Sequence, residues 1–315
     1  MKHYTPPVNR LLTYGDASKM PSGWPNYVEE LGLTPDDVPE LIRLMTDTKF
    51  WDMASEKVEV WSTLHAWRAL AQLQALEMLD PLLGMFAEYE DDDYLNEETS
   101  EVIVLLGPKA LPLLAPYLIN SDFSDWGKIA IVEGIKALGT QYPETQATCV
   151  AMLIQGLEKY ADNFDGLNGS LVEGLVKFKA VEAAPLIENV YASELVDDMG
   201  AGTWPKVQVD LGLKQESDFT PDDFIPDFVR ELRANLPSGM TEEDLFNQML
   251  RPSKISAAAS GLPLNLEAFR PEPPPKFGEG PLQAPQSPAL KPSKGFGQAE
   301  AASSQSTKKH KKKKR

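Results

Sequence analysis

Ser100-Glu101-Val102-Ile103-Val104-Leu105-Leu106-Gly107-Pro108-Lys109-Ala110-Leu111-Pro112-Leu113-Leu114-Ala115-Pro116-Tyr117-Leu118 reads as two helices with a tight break between them. Gly107 and Pro108 interrupt the first apolar run. Pro112 then stands in the first turn of the second, where its missing amide removes no intrahelical bond. The same grammar recurs on either side. His65-Ala66-Trp67-Arg68-Ala69-Leu70-Ala71-Gln72-Leu73 leads to Met78-Leu79-Asp80-Pro81-Leu82-Leu83. Leu171-Val172-Glu173-Gly174-Leu175-Val176-Lys177-Phe178 leads to Ala183-Ala184-Pro185-Leu186-Ile187. In all three copies a proline precedes two aliphatic residues.

The spacing sets the period. Pro81 and Pro112 are 31 residues apart, and Pro112 and Pro185 are 73 apart, close to two units. The copy between them is predicted as a helix over 129–138, a break over 139–143 and a longer helix over 144–157. Helix pairs repeating every 30–40 residues indicate an α-solenoid, in which each pair hides its apolar face against the next. The predicted fold class is therefore all-α, with residues 1–26 as an irregular lead-in and 27–213 as the solenoid. Within it, residues 26–31 read as a short helix stopped by Gly32, and Thr34-Pro35-Asp36-Asp37 as a capped start. Residues 214–251 are expected as a helical cap or arm, opened by Thr220-Pro221-Asp222-Asp223 and again at Met240-Thr241-Glu242-Glu243. Residues 252–315 turn to Pro, Ala, Ser and Gly, a composition unable to bury a core. They are expected to be a disordered tail.

This pattern resembles HEAT-like repeats of the phycobilisome-lyase type. Leu11-Leu12-Thr13-Tyr14-Gly15-Asp16, His65-Ala66-Trp67-Arg68-Ala69-Leu70, Leu167-Asn168-Gly169 and Lys179-Ala180-Val181-Glu182-Ala183-Ala184-Pro185 further resemble a bacterial family of unassigned function, over roughly residues 8–213. Some members of such families end in a cysteine- and lysine-rich SEC-C zinc module. This chain has no cysteine in that region, so the resemblance carries no metal function to it.

Charge is segregated along the chain. Residues 252–315 hold twelve Lys and Arg against four Asp and Glu, which leaves residues 1–251 at −25 within a whole-chain −17. Such asymmetry bears on partners rather than on fold. The basic end is Lys308, Lys309, Lys311, Lys312, Lys313, Lys314 and Arg315, a cluster suited to nucleic acid, an anionic surface or the acidic body. In a nucleated cell it would read as a nuclear-import signal. The apolar runs at 102–106 and 110–119 are too short to span a bilayer. With a single cysteine and no apolar leader at residues 1–7, a cytoplasmic location is expected.

Candidate chemistry is sparse, and no catalytic residue, metal site or cofactor is predicted. Cys149 sits in the apolar run Thr148-Cys149-Val150-Ala151-Met152-Leu153 and reads as a buried, inert thiol. Asp162 placed first in a calcium loop would put Leu167 where the invariant glycine belongs, so that pattern fails. Residues 162–170 read instead as an inter-helix turn capped by Asn168 or Ser170. His65 reads either as a packed helix residue, against Trp61 or a neighbouring turn, or as part of a recognition patch with Trp61, Trp67 and Arg68. Helical spacing puts Trp61 with His65 and Leu64 with Arg68, with Trp67 between, so at least one tryptophan belongs to the core. Asp91, Asp92 and Asp93 read as a solvated loop or a contact for a basic partner. The leading expectation is a non-catalytic protein-binding scaffold with an acidic surface and a flexible basic tether. A bilin lyase-like or other HEAT-like enzyme is the alternative, since a lyase's attacking thiol belongs to its acceptor. A HEAT-like DNA glycosylase would need a basic concave face, which a −25 body opposes. A nucleic-acid-associated role through the lysine cluster is a second alternative.

Overall fold

Each proline-led break takes up the same backbone form, one 3-10 turn followed directly by an α-helix. A computed structural model describes residues 4–20, 23–54 and 56–234. In chain order its α-helices are α1 (Tyr27–Leu31), α2 (Val38–Met45), α3 (Thr48–Trp51), α4 (Ser62–Gln72), α5 (Leu79–Gly84), α6 (Phe86–Tyr89), α7 (Asp93–Leu106) and α8 (Leu111–Leu118). There follow α9 (Asp125–Gln141), α10 (Gln146–Leu157), α11 (Asp165–Lys177), α12 (Ala184–Ala192), α13 (Asp198–Ala201), α14 (Trp204–Asp210) and α15 (Asp227–Ala234). There is no strand among the described residues; the protein is all-α. Among the described residues, no single helix is long and apolar enough to cross a membrane.

The 3-10 turns Pro35–Asp37, Leu76–Met78, Pro108–Ala110, Pro143–Thr145 and Val181–Ala183 precede α2, α5, α8, α10 and α12. Pro81, Pro112 and Pro185 therefore share one setting, at the second or third residue of the helix after the turn, where no intrahelical amide is needed. Pro39 in α2 has it too, an extra copy that the spacing argument did not find. Between α7 and α8 the chain bends by 107°. Gly107 makes that bend with φ +75° and ψ −169°, a conformation that side-chain-bearing residues avoid.

The long first helices lie against one another in order. α4 packs on α7, α7 on α9 and α9 on α11, while the second helices α8 and α10 also touch. Side-chain bonds follow the same rule. Gln74 donates to the Leu105 carbonyl and Lys179 to the Asp210 carbonyl, each 31 residues on. Tyr89 reaches Asp52, Tyr117 reaches Asp80 and Ser170 reaches Glu133, each pair 37 residues apart. Between residues 51 and 234, no described side-chain hydrogen bond spans more than those 37 residues.

Several sequence expectations need correction. The lead-in is not irregular: 3-10 turns at Val8–Thr13 and Ala17–Lys19 bury Val8, Leu11 and Ala17 against the core. Gly139 does not break its helix; α9 runs through it to Gln141. A Cβ there would lie 2.6 Å from Phe178 and 3.1 Å from the Cys149 sulfur, so the glycine serves close packing. α11 begins at Asp165 after Phe164, so neither Asn168 nor Ser170 is its cap. Buried Asn168 instead donates to the Tyr160 and Leu195 carbonyls and accepts from Asn163, holding three segments together. Thr34 and Thr220 do open capped 3-10 turns, each forming a capping box in which Asp37 or Asp223 accepts from the threonine amide and hydroxyl. The Met240 start and the basic cluster lie outside the described residues.

Candidate functional site

α4 is buried from Ser62 to Ala71, so the residues predicted as a recognition patch lie mostly inside the protein. His65 is fully buried, Trp67 is 2 % exposed and Arg68 6 %. Their partners are internal, and that corrects the surface reading. Helical spacing turns His65, Arg68 and Gln72 toward the lead-in. The His65 Nε2 lies 3.0 Å from the Gly15 carbonyl, and Nδ1 lies 2.7 Å from the Tyr27 hydroxyl. A carbonyl can only accept, so Nε2 carries the proton and Nδ1 receives the tyrosine's. The imidazole also packs on Tyr14 and Tyr27, not on Trp61. Gln72 completes the seam, donating to the Pro25 carbonyl and accepting from the Tyr27 amide.

Burial lowers the His65 pKa from 6.5 to about 4, with the Arg68 charge acting the same way and the Gly15 bond opposing. The unfolded chain therefore binds a proton between those values that the folded chain refuses. This contribution to stability is complete above pH 6.5, declines as pH falls through that window, and is gone below about pH 4. Its full size is about 3 kcal/mol. Thermal melts from pH 7 to pH 4 should show this acid sensitivity, and His65→Gln should flatten it; an unchanged slope would mean that other groups carry it.

Beside this seam, Arg68 and Trp67 converge on Glu98 of α7. The Trp67 indole donates to Oε2 at 2.9 Å and Arg68 Nε to the same oxygen at 2.8 Å, while Arg68 Nη2 meets Oε1. Burial opposes the arginine's charge, but the bond to Glu98 outweighs it and the pKa is raised. The Arg68 guanidinium also lies 5.4 Å from the Trp24 ring centre. A second ionic bridge ties α9 to α11, where buried Lys136 pairs with Glu133 at 2.7 Å and Glu173 at 2.9 Å. These bridges join neighbouring helices. Cys149 is buried, and burial raises its thiol pKa. Among the described residues, no group of three His, Cys, Asp or Glu side chains could hold a metal.

Of the four residues predicted as a recognition patch on α4 and its approach, only Trp61 is more than marginally exposed. With Trp51, Met53, Leu64, Trp67, Asp92 and Tyr94 it lines a cavity of about 270 Å³. Trp61 meets Tyr94 edge-on at 5.5 Å, and Trp51 lies 5.8 Å from Trp67 and stacks on Tyr89 at 4.5 Å. The Trp51 and Trp67 indole N–H groups bond the Met45 carbonyl and Glu98, so neither offers a free donor to the cavity. The one carboxylate in the lining is half-buried Asp92. It is the N-cap of α7, accepting from the Leu95 amide at 2.8 Å, and burial raises its pKa. Its neighbours are divided: Asp91 is exposed outside the helix and Asp93 is the helix's first residue. The acidic run is thus partly a cap and only partly a solvated loop.

Sequence reasoning missed Trp51, Tyr94 and Glu98. One signal was available. Asp93-Tyr94, Asp125-Trp126 and Phe164-Asp165 each set an aspartate beside an aromatic at the start of a long first helix. Trp126 and Phe164 are largely exposed and lie 6.3 Å apart.

Fold and site together define an all-α protein with ionic bridges between neighbouring helices and an aromatic-lined cavity beside α4. Set against protein-family models, curated proteins and solved structures, the chain matches none of them.

Proposed function

We propose that this chain is a short α-solenoid of HEAT-like helix pairs that works as a non-catalytic binding module, docking a protein partner on its acidic surface. The observation that carries the reading is the neighbour-only pattern of contacts between residues 51 and 234. There the long helices meet the next one along, and side-chain bonds between them reach at most one unit of 30–37 residues, while the N-terminal segment folds back onto α4 over longer spans. Such a stack has an extended flank on which a partner can lie. The interior titratable groups support the same view, because His65, Arg68, Glu98 and Lys136 all have structural partners. The surface is where free charge remains, with residues 1–251 at −25. Capture of binding proteins from native lysate by the tagged full chain, at low and at high salt, tests this. A salt-sensitive partner is expected; recovery of none would remove the reading.

The lysine cluster is assigned to association rather than to folding. Deleting residues 308–315 should leave the melting temperature unchanged and weaken salt-sensitive association, which loses force as the Debye length shrinks. A melting temperature several degrees lower would show that the cluster contributes to folding instead.

A further inference from the structure

We propose that the aromatic cavity beside α4 receives the methylated ammonium head of a lysine side chain presented by the partner protein. This rests on the binding-module reading and adds the chemistry of what is bound. Half-buried Trp51, Trp61 and Tyr94, from separate parts of the chain, line one small space with buried Trp67. Aromatic faces carry negative quadrupole potential and attract cations, tryptophan most strongly. Asp92 supplies a formal negative charge in the same wall, and exposed Glu88, Asp91 and Asp93 add to it nearby. Arg68, the strongest cation in the vicinity, is neutralised by Glu98.

Methylation is what the wall chemistry selects. An unmodified ammonium brings three N–H donors that need acceptors once dehydrated. The cavity has few to give: its side-chain acceptors are the Asp92 carboxylate, which also serves the Leu95 amide, and the Thr63 hydroxyl, so three donors are not all met. A trimethylated head carries the same charge with no donors and fits against rings. At about 270 Å³ the space holds one side-chain head. Cavities that enclose drug-sized ligands run to about 300–1,000 Å³.

The test titrates the full-length protein, followed by tryptophan fluorescence and calorimetry, with four probes. These are a short peptide carrying trimethyllysine, the same peptide with unmodified lysine, the same with a neutral tert-butyl isostere of that side chain, and free choline. The trimethyllysine peptide should bind about tenfold more tightly than either the lysine or the isostere peptide. Trp61→Ala should weaken it by about tenfold, with Trp61→Phe intermediate. Asp92→Asn, which keeps a capping side chain on α7, should weaken it severalfold. Equal binding of the isostere would overturn the cation assignment. Unchanged affinity in both Trp61→Ala and Asp92→Asn would place binding elsewhere. Choline binding without peptide binding would overturn the protein source. If a lysate partner is captured while no probe binds, this inference fails and the binding-module reading stands; if peptide probes bind while no partner is captured, the cavity's cation preference stands but docking on the acidic surface falls, and with it the partner protein as the source.

Discussion

Arg68→Met should lower the stability of the protein by about 3–5 kcal/mol, because it leaves Glu98 buried without its cation. Only the Trp67 indole, at 2.9 Å, would then remain on that carboxylate. Glu98→Met is expected to be as damaging, since it orphans both the Trp67 N–H and the guanidinium. In a domain of this size the loss corresponds to a fall on the order of 10 °C in melting temperature. The paired replacement, Arg68→Met with Glu98→Met, should recover much of the loss. An apolar pair of similar volume carries no desolvation penalty, whereas a lone buried charge carries all of it. Chemical denaturation of the four proteins gives the coupling directly. Single variants that lose less than about 1 kcal/mol would show that water reaches the pair.

Gly134→Ala and Gly84→Ala should change stability in opposite directions. A Cβ on Gly134 would lie 2.6 Å from Ile103 Cδ1 and 2.9 Å from its Cβ, at the contact of α9 with α7. The branched Ile103 cannot swing clear by rotating only its end, so the helices must separate. Overpacking of this kind costs about 1–3 kcal/mol. Helix propensity returns at most about 1 kcal/mol of that, so destabilisation is the expected sign. Gly84, at the exposed end of α5, has nothing within 4 Å of such a Cβ. There the same substitution meets no clash, and restricting the unfolded chain should add about 0.4–1 kcal/mol. Ile103→Ala in the Gly134→Ala background should then cost less than it does alone. Strict additivity would mean that the two residues do not share a contact.

The sequence made much of this fold legible, and physical reasons explain the remainder. Pro81, Pro112 and Pro185 are read correctly because a proline at the start of a helix is a local matter, decided within a turn. Gly32 stops α1 for an equally local reason, with φ +69°. Gly139 is misread because its role depends on Phe178, 39 residues further on. His65 draws the right suspicion and the wrong neighbour, since its acceptor is the Gly15 carbonyl, 50 residues earlier. Glu98 looks like any polar helix residue until Arg68 and Trp67 are found against it. The cavity gathers Trp51, Trp61, Trp67 and Tyr94 across three stretches of chain, and periodicity within one helix cannot report that convergence.

Distances between spin labels along the chain test the stacking of helix pairs most directly. Labels are placed at exposed positions near the ends of α4, α7, α9 and α11, namely Gln74, Leu105, Gln141 and Lys179, in a Cys149→Ala background. Pulsed electron-spin measurements would then give the separation of Gln74 from each of the other three. A linear stack requires those separations to grow in order, shortest to Leu105 and longest to Lys179. A label at Lys179 as close to Gln74 as the label at Leu105 would mean a closed bundle, and would contradict the account.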